Sequence, residues 1–346
     1  MDASTRDPDR DDAGRSGDRE RLDPELVTRV LTAFGIATPR RLRDVDRGSR
    51  RAPKVVVETG EGRFFLKRRR PGSVEAARFT ARLQRRLAAA GCPVPRIRST
   101  LDGEAVHECE GHVFELVEFV AGDPYPRHPV AANSAGRTLA RLHEEMRHLS
   151  APERLRGSYH DSSLVREVLG RLRERVDELS LDPMRLSDRY EHAAASAQSW
   201  FEGRPPRLIH GDFHPGNLIH DRDSDGRVLA VLDWEAVRVD LPQAEFAAAA
   251  VHFARPPSSA RPRVPGLDET LLTSFVAGFG VLRRETSGIV PELMIESVIA
   301  EVAFLLDGGV RGERAARLAV RVEGLLDWID RNRSAISRIV QGEASR

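Results

Sequence analysis

Three oxygen-bearing side chains follow one another closely between Leu208 and Asp233. Asp212 lies in a segment that contains Gly and Pro, Asn217 comes five residues later, and Asp233 ends a short apolar run. Phosphoryl transfer needs one carboxylate at the acceptor hydroxyl, and an amide oxygen with a second carboxylate to hold Mg²⁺. Asp212, Asn217 and Asp233 supply these groups in the expected order, so the pattern predicts ATP- and magnesium-dependent phosphoryl transfer.

The histidines near Asp212 suggest an alternative interpretation, in which the chain is a metal-dependent phosphoesterase or a zinc hydrolase. His210, His214 and His220 lie within ten residues of one another. A two-metal hydrolase, however, needs an early Asp-x-His and further histidine clusters to complete both metal shells. The other histidines are scattered singly, at positions 107, 112, 128, 143, 148, 160, 192 and 252. The pattern therefore favours phosphoryl transfer.

The residue sequence around Asp212 and Asp233 resembles that of a known protein family. Residues 210–217 read His-Gly-Asp-Phe-His-Pro-Gly-Asn, and residues 232–235 read Leu-Asp-Trp-Glu. Both resemble the aminoglycoside phosphotransferase family, which includes homoserine, choline, methylthioribose and fructosamine kinase-like branches. Residues 135–143 resemble a helix of that family, and the similarity spans most of residues 40–330. The resemblance implies that Asp212 is the catalytic base, that Asn217 and Asp233 bind Mg²⁺, and that His210 braces the loop.

A lysine in the N-terminal part fits the nucleotide side of such a site. Lys67 ends the apolar run Phe64–Leu66, and Lys54 is the only other lysine in a chain rich in arginine. The two cations are not interchangeable, because the ammonium is a compact point charge and the guanidinium is planar. A lysine retained here favours contact with the α- and β-phosphates of ATP, as in kinases.

The resemblance also implies further nucleotide-binding residues. Gly48 and Ser49 would belong to the loop that covers the phosphates. Glu75 would pair with Lys67; otherwise the lysine is held another way, as in spore-coat and stress-kinase-like branches. Glu115 and Val117 begin the predicted connection between lobes, residues 115–120, whose backbone would bind adenine.

The elements predicted around these residues change type along the chain. Strands and two helices precede residue 120, with strands expected at 40–67, 96–101, 104–108 and 112–120 and helices at 23–34 and 73–90. Helices dominate afterwards, at 130–148, 163–179, 184–202, 243–254, 268–283, 291–306 and 313–340, with short strands near 207–209, 217–220 and 228–233. We predict an α+β, bilobal protein-kinase-like fold with an antiparallel-sheet lobe at 23–120, a mostly helical lobe at 121–340 and a disordered charged tail at 1–22.

Bulk properties restrict the partners. The formal net charge is +1, so no overall field attracts nucleic acid or an anionic membrane. No apolar run reaches the roughly 18 residues of a membrane span, and Cys92 and Cys109 indicate no disulfide framework. We expect a cytoplasmic enzyme with no nucleic-acid or membrane partner; the sequence gives no indication of its oligomeric state.

The acceptor is predicted to be a small molecule. Between Asp233 and the helix expected near Gln243 there is no long activation segment, and Gly211 stands where many regulated protein kinases carry Arg. Aminoglycosides, homoserine, sugars and amino-alcohols are all compatible acceptors. A stress-kinase-like protein Ser/Thr kinase is the alternative. A nucleotide-binding pseudokinase is disfavoured because Lys67 and the three residues of the Asp–Asn–Asp set are all present. Glu245 replaces the aspartate usual in the family.

Overall fold

The chain divides into two compact units, which are described separately. The structure is a computed structural model that describes residues 20–36, 39–45, 52–70, 72–152, 155, 163–175, 181–223, 226–256 and 266–343. The N-terminal unit takes the described parts of Met1–Ala89 and Val94–Val120, and the C-terminal unit those of Ala90–Pro93 and Ala121–Arg346. Among the helices in these ranges, none is long and apolar enough to cross a membrane.

The N-terminal unit is built on a five-stranded antiparallel sheet with the strand order β1-β2-β3-β5-β4. Its strands are β1 (Arg41–Asp44), β2 (Lys54–Thr59), β3 (Gly62–Arg68), β4 (His107–Cys109) and β5 (His112–Glu118). Its helices are α1 (Pro24–Ala33) and α2 (Val74–Ala89).

The two faces of this sheet carry different helices. Helix α1 packs on one face, because alternate residues of three strands point towards it and form a buried apolar cluster with it. The strand members of that cluster are Val55, Val57, Phe64, Leu66, Phe114 and Leu116. A smaller cluster joins Ala81 of α2 to Val113 of β5. Since side chains alternate along a strand, Lys67 lies on the α2 face of the sheet.

The C-terminal unit is mostly helical. Its helices are α3 (Pro129–Met146), α4 (Ser163–Arg173), α5 (Pro183–Phe201), α6 (Pro242–Phe253), α7 (Glu269–Phe279), α8 (Arg284–Ser287), α9 (Val290–Asp307), α10 (Gly312–Arg331) and α11 (Arg333–Val340). Its strands are β6 (Arg207–Ile209), β7 (Leu218–His220), β8 (Val228–Val231) and β9 (Arg238–Asp240). β6 pairs with β9 and β7 pairs with β8, both antiparallel.

A tightly packed core lies among the helices of this unit. Helices α3 and α7 approach so closely that a Cβ atom on Gly136 would lie 2.1 Å from the Phe275 carbonyl oxygen. On α6, Phe253 stacks on Phe275 with ring centroids 5.3 Å apart. Helix α3 carries His143 and helix α6 carries Glu245. Because both helices pack against α7, this packing fixes the positions of the two helices that lie against the candidate site.

The observed elements confirm the predicted α+β class, with an antiparallel sheet before residue 120 and a mostly helical part after it. Several boundaries differ. The strand predicted at 96–101 reduces to one bridge between Ile97 and Val117, and the strand predicted at 104–108 begins only at His107. The predicted helix 313–340 is two helices, because the chain turns at Asn332, whose side-chain amide donates to the Trp328 carbonyl oxygen. β9 and α8 were not predicted.

Candidate active site

The predicted base lies in the loop between β6 and β7, residues 210–217, named here the catalytic loop. Both carboxylate oxygens of Asp212 are engaged. The Asn217 side-chain amide donates to Oδ2 at 2.9 Å, and His214 Nε2 lies 3.2 Å from Oδ1. The Asp212 side chain is still 44% exposed, so the carboxylate is both fixed and open to a ligand.

The charge state of Asp212 follows from opposing effects. Burial raises the pKa of Asp212, and the negative charge of Asp233 raises it further. The hydrogen bond from His214, together with the favourable electrostatic interactions of the His214 and His210 rings, outweighs both, so the pKa lies below the usual value for aspartate. Asp212 is therefore an ionised hydrogen-bond acceptor near neutral pH.

His210 joins the catalytic loop to the end of β8. Its ring is fully buried. Nδ1 accepts a hydrogen bond from the Asp212 backbone N–H at 3.3 Å, so the ring proton lies on Nε2, which donates to the Leu232 carbonyl oxygen at 3.0 Å. The Trp234 ring packs edge-on against it, with centroids 4.7 Å apart. Burial lowers the pKa of His210, so the ring is neutral and links two backbone segments.

Strand pairing brings Asn217 and Asp233 to the same end of a hairpin. Leu218 of β7 is opposite Val231 of β8, and the Leu232 N–H donates to the Asn217 carbonyl oxygen at 2.7 Å. Asp233 follows directly with a left-handed backbone, φ 63° and ψ 65°. That conformation costs a non-glycine residue roughly 1–2 kcal/mol. Strain of this kind concentrates at functional sites.

The side-chain oxygen atoms at this end of the hairpin are of the type that Mg²⁺ prefers as ligands. The Asn217 amide nitrogen is used by Asp212, whereas its Oδ1 accepts no hydrogen bond from the described residues. The amide oxygen and the Asp233 carboxylate are hard ligands, and Mg²⁺ is commonly bound by one or two protein ligands with phosphate oxygens and water. Within the described ranges, no group of three or more His, Cys, Asp or Glu side chains could hold a metal ion.

A buried glutamate lies beneath the catalytic loop. The Glu245 carboxylate on α6 accepts hydrogen bonds from the backbone N–H groups of His210, at 3.2 Å, and of Gly211. His143 Nε2 on α3 lies 2.7 Å from the same carboxylate. Burial raises the pKa of Glu245, but the hydrogen bond and charge of His143, with smaller effects of His210 and Gly211, bring it below the usual value. Glu245 is therefore an ionised anchor for the loop backbone.

Gly211 is required by the shape of the loop. Its φ is +83°, and a Cβ atom would lie 2.0 Å from the Ala236 carbonyl oxygen. The Gly211 carbonyl oxygen accepts a hydrogen bond from Arg238 at 2.7 Å. The same arginine lies 3.3 Å from the Asp240 carboxylate. β9, which sequence reasoning missed, thus presents a side chain to the catalytic loop.

The predicted nucleotide-binding residues belong to the N-terminal unit. Lys67 is only 4% exposed and is opposite Glu115 in the β3–β5 register. Glu115 forms an ion pair with Arg69, N–O distance 2.8 Å. Val117 also lies within β5, so the predicted connection 115–120 begins as strand and leaves the sheet after Glu118.

The remaining predicted residues of this unit lie off the strands. Glu75 is in the first turn of α2, and its pairing with Lys67 stays a prediction. Gly48 and Ser49 lie outside the described residues.

Comparisons with known proteins identify the family. The family model of the phosphotransferase enzyme family matches residues 19–283, which is more than half of the chain. No curated protein matches the sequence.

Solved structures with the same fold share little sequence with this chain. An aminoglycoside phosphotransferase from Alicyclobacillus acidocaldarius is 14% identical, covering 94% of this chain and 99% of its own, with a TM-score of 0.68. Amicoumacin kinase in complex with AMP-PNP, Ca²⁺ and Ami is 12% identical, with coverages of 91% and 93% and a TM-score of 0.67. A microcompartment-associated aminopropanol kinase is 17% identical, with coverages of 91% and 99% and a TM-score of 0.63. The chain therefore belongs to the phosphotransferase enzyme family.

Proposed function

We propose that this chain transfers the γ-phosphoryl group of ATP to a hydroxyl group of a small molecule. Asp212 is the proposed base, and Asn217 and Asp233 are the proposed Mg²⁺ ligands. The observation that carries the proposal is the Asp212 carboxylate, which Asn217 and His214 fix at both oxygens while it remains partly exposed.

The nucleotide side of the proposal rests on the N-terminal unit. Lys67 would contact the α- and β-phosphates of ATP, with Glu75 as its carboxylate partner. Gly48 and Ser49 would cover the phosphates, and the backbone near Glu115 and Val117 would bind adenine. The burial of Lys67 on a central strand supports this assignment, because a buried ammonium group requires anionic partners.

In the proposed reaction, the acceptor oxygen forms a bond to the γ-phosphorus as the bond from that phosphorus to the β,γ-bridging oxygen breaks. ADP leaves with the electron pair of the broken bond. The hydroxyl proton passes to the Asp212 carboxylate and is released to solvent after the products leave. Mg²⁺, when bound, neutralises charge on the phosphates. Asn217 would serve both the base and the metal, because its amide nitrogen donates to the Asp212 carboxylate and its amide oxygen would bind Mg²⁺.

Two observations support a small acceptor. After Asp233 the chain makes a short 3₁₀ turn, Trp234–Ala236, then β9, and α6 begins at Pro242. This connection leaves no extended segment on which a peptide substrate would lie. Similar structures include kinases named for aminopropanol and amicoumacin and an aminoglycoside phosphotransferase, which supports amino-alcohols and aminoglycosides as classes to test. Sugars and homoserine are tested as well because the sequence resemblance includes them.

The test is transfer of radiolabel from [γ-³²P]ATP with Mg²⁺ to a panel of aminoglycosides, sugars, amino-alcohols, homoserine and generic protein substrates. We expect label on a small molecule, no label in EDTA, and a loss of about 100-fold or more in Asp212→Asn. Asp188→Asn, on an exposed part of α5, is the matched control and should transfer normally.

Each other outcome contradicts a different part of the proposal. Label on protein alone would indicate a protein kinase. Tight Mg·ATP binding without transfer to any acceptor would indicate a pseudokinase. Undiminished turnover by Asp212→Asn would remove Asp212 as the base.

A further inference from the structure

The second histidine of the catalytic loop has both ring nitrogens engaged. His214 Nδ1 accepts a hydrogen bond from the Gly216 backbone N–H at 3.1 Å. A neutral imidazole whose Nδ1 is an acceptor carries its proton on Nε2. That nitrogen lies 3.2 Å from Asp212 Oδ1. The backbone of the loop therefore selects the tautomer that donates to the proposed base.

The His214 ring also has an aromatic neighbour. The ring of His252 on α6 lies tilted against it, with centroids 5.7 Å apart. His252 Nε2 lies 3.8 Å from Oε2 of Glu301 on α9, and Arg255 donates to the same oxygen at 2.9 Å. Burial lowers the pKa of His252 to about 3, so this neighbouring ring is neutral and adds no positive charge beside His214.

We propose that His214 is a positioning residue that sets the orientation of the Asp212 carboxylate for the acceptor hydroxyl. The inference rests on the proposed function, in which Asp212 is the base. Asn217 donates to one carboxylate oxygen and His214 to the other. Two donors on opposite oxygens fix the plane of the carboxylate, and each oxygen keeps a lone pair for the substrate proton.

A packing role and a positioning role depend on different properties of the His214 side chain. Its side chain is 15% exposed and therefore borders solvent beside Asp212. A packing role depends on the volume of the ring, whereas a positioning role depends on the donor at Nε2. Substitutions that change one property and keep the other distinguish the two roles.

The experiment compares His214→Gln with His214→Leu. Glutamine places an amide donor near the position of Nε2, whereas leucine keeps volume and removes the donor. With the acceptor identified in the panel, His214→Leu should lower kcat by about 10- to 100-fold, as when a group that orients a reactive side chain is removed. KM for Mg·ATP should change less than about twofold, and His214→Gln should recover most of kcat. His192→Leu, exposed on α5, is the control.

Equal losses in both variants, with lowered thermal stability in both, would assign His214 to packing and overturn the proposal. Unchanged kcat in His214→Leu would overturn it as well.

A second measurement does not depend on turnover. Long-range ¹H–¹⁵N NMR of histidine-labelled protein reports the tautomer of each ring, and the signal missing in His214→Gln identifies His214. We expect the Nε2–H tautomer at pH 8. An Nδ1–H tautomer would overturn the proposal even if transfer is active. If the wild-type chain transfers no phosphate but His214 is the Nε2–H tautomer, the proposed function is refuted. The hydrogen bond from His214 to Asp212 is then still supported.

Discussion

Two buried glutamates of the C-terminal unit, Glu245 on α6 and Glu296 on α9, have carboxyl groups in very different surroundings. Glu245 receives three donors, two from the backbone of the catalytic loop and one from His143. Oε1 of Glu296 has no hydrogen-bond partner among the described residues. Burial raises the pKa of Glu296 to about 9, and the charges of Asp240 and Glu292 add to the shift. The pKa of Glu245 is lowered.

The difference shows that burial alone does not decide the charge of a carboxyl group in this unit. Burial favours the neutral form of both glutamates. Three N–H donors reverse that preference at Glu245, whereas no donor from the described part of the chain reaches Oε1 of Glu296. Of these two glutamates, the ionised one is the one that accepts hydrogen bonds from the loop backbone, and the following predictions test that contrast.

The largest effect is expected from Glu245→Ala. The substitution leaves the N–H groups of His210 and Gly211 and the ring of His143 without their acceptor inside the protein. Removing one partner of such a buried network costs about 3–5 kcal/mol. Urea unfolding should show this loss, together with loss of phosphoryl transfer. Glu323→Ala, a half-buried glutamate on α10, should change the free energy of unfolding by less than about 0.5 kcal/mol; a similar small change in Glu245→Ala would contradict the anchoring role.

Gly211→Ala should have the next largest effect. The new Cβ atom meets the Ala236 carbonyl oxygen at 2.0 Å in a left-handed backbone, and we expect a loss of about 2–3 kcal/mol in the free energy of unfolding. Gly103→Ala is the matched control, because its φ is +86° and nothing lies within 4 Å of the added atom. Equal losses in the two variants would show that backbone conformation alone accounts for the effect, with no contribution from Ala236.

Glu296→Gln should change the pH dependence of stability. The pKa of Glu296 in the folded chain, about 9, lies above the ordinary glutamate value of 4.5. Between these values the folded chain keeps a proton that the unfolded chain releases, so this group's stabilisation falls as pH rises, by about 1.4 kcal/mol per pH unit. Glutamine removes the effect. The variant's advantage in free energy of unfolding should therefore grow by about that amount from pH 6 to pH 7. Parallel pH profiles for variant and wild type would refute the raised pKa.

Regular elements were the predictable part of the fold. Asp23 and Pro24 predicted the start of α1, and the Asp23 side chain accepts hydrogen bonds from the N–H groups of Glu25 and Leu26. β2 and β3 followed from β-branched and aromatic runs around a Gly-containing turn. These signals are local, because caps and side-chain alternation involve neighbours in sequence. β9 was missed because its three residues carry two charges, and its partner β6 is about thirty residues away.

The proximity of the three proposed site residues was predictable to the same extent. Asp212, Asn217 and Asp233 follow or precede short apolar strands, so their proximity could be expected from the hairpin. The role of Glu245 as an acceptor for the loop backbone could not be expected from the sequence. In the sequence it was only a glutamate in place of an aspartate, and its partner His143 is 102 residues away. The geometry of His214 depends on the Gly216 N–H, which no residue pattern specifies.

The separation of His143 from Glu245 also bears on how the protein is made. Synthesis proceeds from the N-terminus, so residues 210–217 leave the ribosome before Glu245 does. At that stage the N–H groups of His210 and Gly211 have no Glu245 carboxylate to bind. The two hydrogen bonds from the catalytic-loop backbone to Glu245 therefore cannot form until α6 has been synthesised, whatever the order in which the other elements of this unit fold.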